Sequence, residues 1–185
     1  MSMEMSVAEQ ERYDKSLEKG QVYQDYVVSM LIKHKGIVLS NFSSLLFQYG
    51  IGEGYQGFEI KLDLPSKETG RLLIETGRRS SVNDDWKGSG IYRNDNAEFY
   101  IVGNYGFFYL FDVKVLRRIE KSKNFFREDS SDTGKWFLLE QSVIEKDPPY
   151  ICKVICGEFG KKLLEELQGK ANHLTKKINN QGRTP

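Results

Sequence analysis

A chain of 185 residues, 39% hydrophobic and 29% charged, is long enough for one substantial core and too evenly polar to be built around membrane spans. Its 27 basic and 26 acidic residues leave a net charge of +1, so contact with a polyanion has to come from local clusters rather than bulk charge. No uninterrupted apolar run approaches a membrane span, and Met1-Ser2-Met3-Glu4-Met5 lacks the basic and apolar regions of a signal peptide, so one cytoplasmic domain over residues 1–185 is expected.

In chain order, residues 1–14 are polar and expected to fray. Leu17 to Lys35 reads as a helix, with Tyr23, Val27, Met30 and Leu31 on one side and Gly36 as a suitable stop. Asp25 and Glu18 are acids on that helix, where an acid ordinarily belongs to the wet face. Gly36 to Leu39 suits a short strand, and Ser43 to Tyr49 is ambiguous.

The next segment carries the chemistry. In Gly57-Phe58-Glu59-Ile60-Lys61-Leu62-Asp63, an extended chain puts Glu59, Lys61 and Asp63 on one face and Phe58, Ile60 and Leu62 on the other. A second strand-like run, Arg71-Leu72-Leu73-Ile74-Glu75, follows a connection containing Pro65 and Gly70, which predicts an antiparallel hairpin. A symmetric hairpin centred on Lys67 pairs Glu59 with Glu75, Lys61 with Leu73, and Asp63 with Arg71. Carboxylates that face each other destabilise a sheet unless a positive group lies between them, either a divalent cation or a lysine such as Lys61. Two carboxylates and an ammonium together suit metal-dependent hydrolysis. The same alternation also suits a half-solvated sheet whose charges are only surface, and a one-residue slip would separate Glu59 from Glu75.

Arg79 to Gly90 reads as a polar loop. Glu98 to Gly103 and Phe107 to Phe111 are aromatic and β-branched runs joined by Asn104-Tyr105-Gly106, a hairpin signature, and both faces are apolar as in the centre of a sheet. Val113 to Ile119 suits a short helix, Asn124 to Lys135 a loop, Trp136 to Leu139 and Tyr150 to Ile155 strands, and Phe159 to Leu174 a helix before a tail from Asn179. Cys152 and Cys156 fit no strong metal motif and read as buried reduced thiols. Arg78, Arg79, Lys87 and Arg93 follow the proposed hairpin closely enough to contact phosphates. The C-terminal basic run is interrupted by Glu158, Glu165 and Glu166, and suits a mixed solvated surface equally well.

Three stretches together resemble the core of PD-(D/E)XK nucleases: Gln48-Tyr49-Gly50-Ile51-Gly52-Glu53 through Gln56-Gly57-Phe58-Glu59-Ile60-Lys61-Leu62-Asp63, then Thr69-Gly70-Arg71-Leu72-Leu73-Ile74-Glu75, then Ser89-Gly90-Ile91-Tyr92. The likeness is to small phage and bacterial members of that superfamily, which includes many restriction endonucleases, and it covers about residues 20–116. It implies an α/β fold with a mixed central sheet flanked by helices, a restriction-endonuclease-like core, and residues 124–185 as a C-terminal extension. It also implies a Mg2+-dependent endonuclease that hydrolyses DNA, with restriction cleavage as its particular form. Glu59, Lys61 and Glu75 would be catalytic, Glu59 and Glu75 would hold Mg2+, and Glu53 would be a further ligand. The family's usual order is an acid on one strand, then acid-x-Lys on the next. Here Gly77 stands where the lysine after Glu75 belongs, so Lys61 would supply the ammonium from the neighbouring strand; in the competing register Glu59-Ile60-Lys61 is the acid-x-Lys and Glu53 leads. The family also places a Ser-Gly-Ile segment against the site. A catalytically silent nucleic-acid-binding module on the same fold and a structural or regulatory α/β protein are the alternatives, and cleavage of both DNA strands would suit a two-fold homodimer.

Overall fold

The computed structural model describes residues 7–39, 57–95 and 97–181. Helix α1 (Val7–Lys35) begins earlier than its sequence pattern suggested, so residues 7–14 extend it rather than fray. It ends at Gly36, whose φ of 66° lets the Gly36 and Ile37 N–H groups bond back to the Ile32 and Leu31 carbonyls at 3.1 and 3.3 Å. Residues 36–39 form no strand. The 43–49 segment lies outside the described residues.

Two four-stranded sheets follow. The first is mixed, in the order β1 (Phe58–Leu62), β4 (Phe99–Gly103), β5 (Phe107–Asp112), β8 (Cys152–Ile155). The second is antiparallel, in the order β3 (Lys87–Gly88), β2 (Arg71–Arg78), β7 (Gly134–Glu140), β6 (Arg127–Ser130). The chain is therefore α/β. The expected hairpin of β4 and β5 forms, and helix α3 (Val113–Ser122) follows, capped where the Asp112 carboxylate accepts from the Lys114 N–H. Both predicted late strands form, as β7 and β8, but 127–130 is strand rather than loop, because its Arg-Glu-Asp-Ser run is held by pairing to β7 with no apolar alternation of its own. A single turn of helix, α4 (Gln141–Ile144), follows β7, and helix α5 (Gly157–Gln181) contains the predicted C-terminal helix.

The hairpin expected between 57–63 and 71–75 does not form. β1 pairs in parallel with β4, which sets Glu59 opposite Tyr100, and β2 lies in the other sheet, which sets Glu75 opposite Trp136. The cause is local. After Asp63 the chain makes a turn of helix, α2 (Ser66–Thr69), instead of reversing flat, and this turn carries it out of the plane of β1.

Layering follows from strand alternation. Phe58, Ile60, Ile101, Phe108, Leu110 and Val154 face α1 and the Leu163, Leu164 and Leu167 side of α5, and the predicted stripe of Tyr23, Val27, Met30 and Leu31 is buried there with Tyr26. The opposite face of the mixed sheet contributes Tyr100, Val102, Tyr109 and Phe111 to a second core with Leu72, Ile74, Phe137 and Leu139. Helices α1 and α5 thus cover one face of the mixed sheet, and the antiparallel sheet, with Val113 and Leu116 of α3, covers the other. No helix among the described residues is long and apolar enough to cross a membrane.

A buried polar bracket joins the two sheets at the end of β1. Asp63 accepts from the Leu73 N–H of β2 at 2.8 Å, and the Ser66 hydroxyl donates to the Asp63 carbonyl at 2.6 Å. Asn104, in the β4–β5 turn, donates to the Ser66 hydroxyl at 2.8 Å and accepts from the Gly106 and Phe107 N–H groups. Arg71, expected to pair with Asp63, pairs instead with Glu140 at 3.4 Å. Asp63 thus anchors backbone, and burial pushes its carboxyl above the ordinary range despite the hydrogen bonds from Leu73 and Ser66. A raised native pKa means that the folded state holds this proton more tightly. The contribution to stability is then full below the unfolded value of about 3.9 and falls as pH rises through the folded value. Asp63→Asn, which keeps an acceptor for Leu73, should therefore gain stability relative to wild type in urea denaturation as pH rises above the unfolded value of about 3.9. A relative loss over that range would mean that the charge itself is wanted there.

Candidate active site

Glu59 lies on the β1 face turned away from α1, at the edge of the mixed sheet, and is 1% exposed. A carboxylate so deeply buried needs cations close by. Lys61, two residues along on the same face, places its ammonium 2.7 Å from Glu59 Oε1, and the Arg93 guanidinium lies 3.8 Å from the same oxygen. Neither Glu59 oxygen accepts a well-formed hydrogen bond among the described residues, so charge rather than directed bonding holds the group.

Glu75 arrives from the other sheet. Its Oε2 is 3.7 Å from the Lys61 ammonium, while its Oε1 accepts from the Ser89 hydroxyl at 2.7 Å. The segment after Ser89 is moulded to this strand. Gly90 opens a single 3-10 turn (Gly90–Tyr92) at φ 53°, where a Cβ would come within 2.2 Å of the Glu75 carbonyl oxygen, so only glycine fits. A β-bulge between Glu75 and Gly77 leaves Thr76 as the extra residue on β2, and the Ser89 N–H bonds to the Thr76 carbonyl at 3.3 Å.

The arrangement alternates in sign: Glu75, Lys61, Glu59, Arg93, then Asp95, whose Oδ2 lies 3.0 Å from the Arg93 Nε. Asp95 has a side chain only 2% exposed, and it fixes its own turn by accepting from the Ala97 N–H at 3.1 Å. Sequence reasoning passed over Asp95; the Arg-x-Asp spacing was its one visible sign, and such a spacing is common in solvated turns.

Glu59, Lys61 and Glu75 thus meet, though across two sheets and not as cross-strand partners. Arg93 belongs to the same cluster. Arg78 and Lys87 are exposed cross-strand neighbours beyond Glu75, and Arg79 stacks its guanidinium 4.5 Å from the centre of the Trp86 ring. Asp25 is exposed on α1; Glu53, and the side chain of Glu18, lie outside the described residues. Cys156 is buried and Cys152 half-buried, both are free thiols, and burial pushes both upward in pKa.

Hard carboxylate oxygens suit Mg2+, which keeps several waters and needs only one or two protein carboxylates. Glu59 and Glu75 meet that requirement, and the Glu59 oxygens are not committed to hydrogen bonds among the described residues. No group of three or more His, Cys, Asp or Glu side chains able to hold a metal occurs among the described residues, so this would be a two-carboxylate site.

Comparison with protein-family models, with curated proteins and with solved structures finds no match. The site has to be read from its own chemistry.

If Lys61 is what makes burial of Glu59 tolerable, Lys61→Met should destabilise the fold. A fully buried pair would lose about 3–5 kcal/mol, but Lys61 is 33% exposed and Arg93 remains beside the same carboxylate, so a loss of about 1–2 kcal/mol is expected. Adding Glu59→Gln to Lys61→Met should recover part of it in chemical denaturation. Additive losses in the double variant would show that the two charges do not depend on each other.

Proposed function

We propose that the chain is a Mg2+-dependent nuclease that hydrolyses DNA phosphodiester bonds, with the Glu59, Lys61, Glu75 cluster as its active site. The observation that carries this reading is the Glu59 carboxylate. It is buried, lacks hydrogen bonds among the described residues, and faces a second carboxylate across a lysine ammonium. Burying such a group costs stability, and a buried carboxylate paired with cations beside a second carboxylate is a candidate functional site. The PD-(D/E)XK resemblance supports the same reading, with a restriction-type endonuclease as its specific form and Glu53 as an added ligand.

The chemistry asked of the site is in-line attack of water on phosphorus, which forms a P–O bond, breaks the bond to the leaving sugar oxygen and returns a proton to it. Bound Mg2+ would polarise the phosphate and lower the pKa of a water. Glu59 and Glu75 would supply its oxygen ligands. Lys61, between them, is placed to orient the attacking water or to meet charge developing on the phosphoryl oxygens. Ser89 fixes the rotamer of Glu75, and Asp95 holds Arg93 beside Glu59; both are positioning residues.

One observation favours a second reading. Gly77 stands where the lysine after Glu75 is expected, and the Lys61 ammonium itself bridges the carboxylates, as it would in a silent DNA-binding module. Supercoiled plasmid incubated with and without Mg2+ separates the two. A nuclease should nick it only with metal, and Glu59→Ala, Lys61→Ala and Glu75→Ala should each lose at least about 100-fold in rate, the scale of removing one catalytic group. Wild-type rates in folded Glu59→Ala and Lys61→Ala proteins would remove the assignment, and metal-independent binding without nicking would favour the silent module.

A further inference from the structure

The free end of the antiparallel sheet carries cations on both of its faces. Directly paired residues share a face, and successive residues alternate. Glu75 pairs with Trp136, Gly77 with Lys135, and Arg78 with both Gly134 and Lys87. Trp136 and Gly134 lie on one face of β7 and Lys135 on the other. Arg78 and Lys87 therefore share the face of Glu75, although Arg78 is three positions from it, because the bulge inserts one residue between them. The other face carries Gly77 and Lys135. Trp86 packs over Gly77 there, where a Cβ would lie 3.7 Å from its ring, and this ring receives the Arg79 guanidinium at 4.5 Å and the Lys135 ammonium at 4.3 Å.

Four cations gather at this thin end of the sheet, with Asp84, Asp85 and Asp132 in the adjoining turns and the Asp132 carbonyl accepting from the Arg79 Nε at 2.5 Å. Arg78 and Lys87 are like charges directly opposite each other across two strands, an arrangement that destabilises a sheet. None of Arg78, Arg79, Lys87 and Lys135 forms an ion pair with a carboxylate among the described residues, whereas Lys61, Arg71, Arg93, Lys123, Arg127 and Lys153 all do. Thinness matters as well: Gly77, Gly88 and Gly134 occupy the positions flanking these cations, so the ribbon has little side-chain bulk between its charged faces.

We infer that this end of the sheet is a ribbon that enters a groove of duplex DNA, with Arg78 and Lys87 meeting one phosphate wall and Arg79 and Lys135 the other. A single backbone lying flat would need cations on one face only. A groove has a phosphate wall on each side, the B-form major groove is about 12 Å wide, and β-strands of several DNA-binding folds enter a groove in this way. Trp86 orients the second pair through cation–π contact, a role distinct from base stacking. The inference rests on the nuclease reading for its choice of polyanion, and it extends that reading by naming the substrate as duplex and the docking element as the strand ends around 77–79, 86–88 and 134–135.

Fluorescence anisotropy without Mg2+ tests docking apart from cleavage. The probes are a 20-base-pair DNA duplex and the corresponding single strand, titrated across salt. Wild type should bind the duplex more tightly, with log K falling against log salt at a slope near −3.6 for about four phosphates. Arg78→Gln/Lys87→Gln and Arg79→Gln/Lys135→Gln should each reduce the magnitude of that slope by about 1.8. The single exposed replacement Lys135→Gln should reduce it by about 0.9 and keeps the test open if a double variant folds poorly. Unchanged slopes, dependence on the Arg78/Lys87 pair alone, or equal affinity for the single strand would overturn the ribbon. Metal-dependent nicking that persists while binding ignores these variants would reject the ribbon and leave the nuclease reading standing. Ribbon-dependent duplex binding without nicking would do the reverse.

Discussion

The rest of the site depends on one interaction, the ion pair of Glu59 with Lys61 inside the fold. A carboxylate 1% exposed is stable as an anion only if positive charge stands within a few ångströms, and here Lys61 at 2.7 Å and Arg93 at 3.8 Å share that duty. Neither cation has only this one partner. Lys61 also reaches Glu75, and Arg93 also reaches Asp95, so the need to neutralise a single buried group organises five side chains drawn from three separate segments of chain.

That organisation requires two sheets to be held in fixed relation, which apolar packing between Tyr100, Val102, Leu72 and Ile74 does not specify closely. The bracket of Asp63, Ser66 and Asn104 supplies the specificity. It ties the end of β1, the following helical turn, the β4–β5 turn and the Leu73 amide into one buried hydrogen-bonded unit, two residues along β1 from Lys61 and two along β2 from Glu75. Buried polar networks of this kind tolerate little rearrangement, because each lost partner leaves an unsatisfied group. Asp63 is thus more informative as a joint than as a salt-bridge partner.

How far the sequence could be read follows from the range of the forces involved. Helix α1, the β4–β5 hairpin and α3 depend on periodicity, turn residues and caps within a few positions, and all were legible. The pairing of β1 and β2 was not, because a helical turn of four residues in the connection replaced a flat reversal and sent the strands to different sheets. β6 was invisible for a related reason: its polar run has no pattern of its own and is strand only because β7 lies beside it. The closeness of Glu59, Lys61 and Glu75 was reached by pairing arithmetic that does not hold. What does hold is the electrostatic argument beside it, that facing carboxylates need a cation between them, and this argument is indifferent to which sheet delivers each group.

The charge count of the cluster bears on how a nuclease built this way would operate. Three carboxylates and two cations leave one formal negative charge in a partly buried site. A divalent cation alone would turn that into one positive charge, and a phosphodiester alone would deepen the negative one. Together they bring the site to neutrality. In a low-dielectric setting each would then favour entry of the other, so metal and substrate binding should be coupled through charge before any conformational change is invoked. Lys61 would gain a further meaning from the same count: its ammonium offsets the two glutamates in the structure, and in a nuclease it would be in place to meet the phosphate once a metal took over that duty.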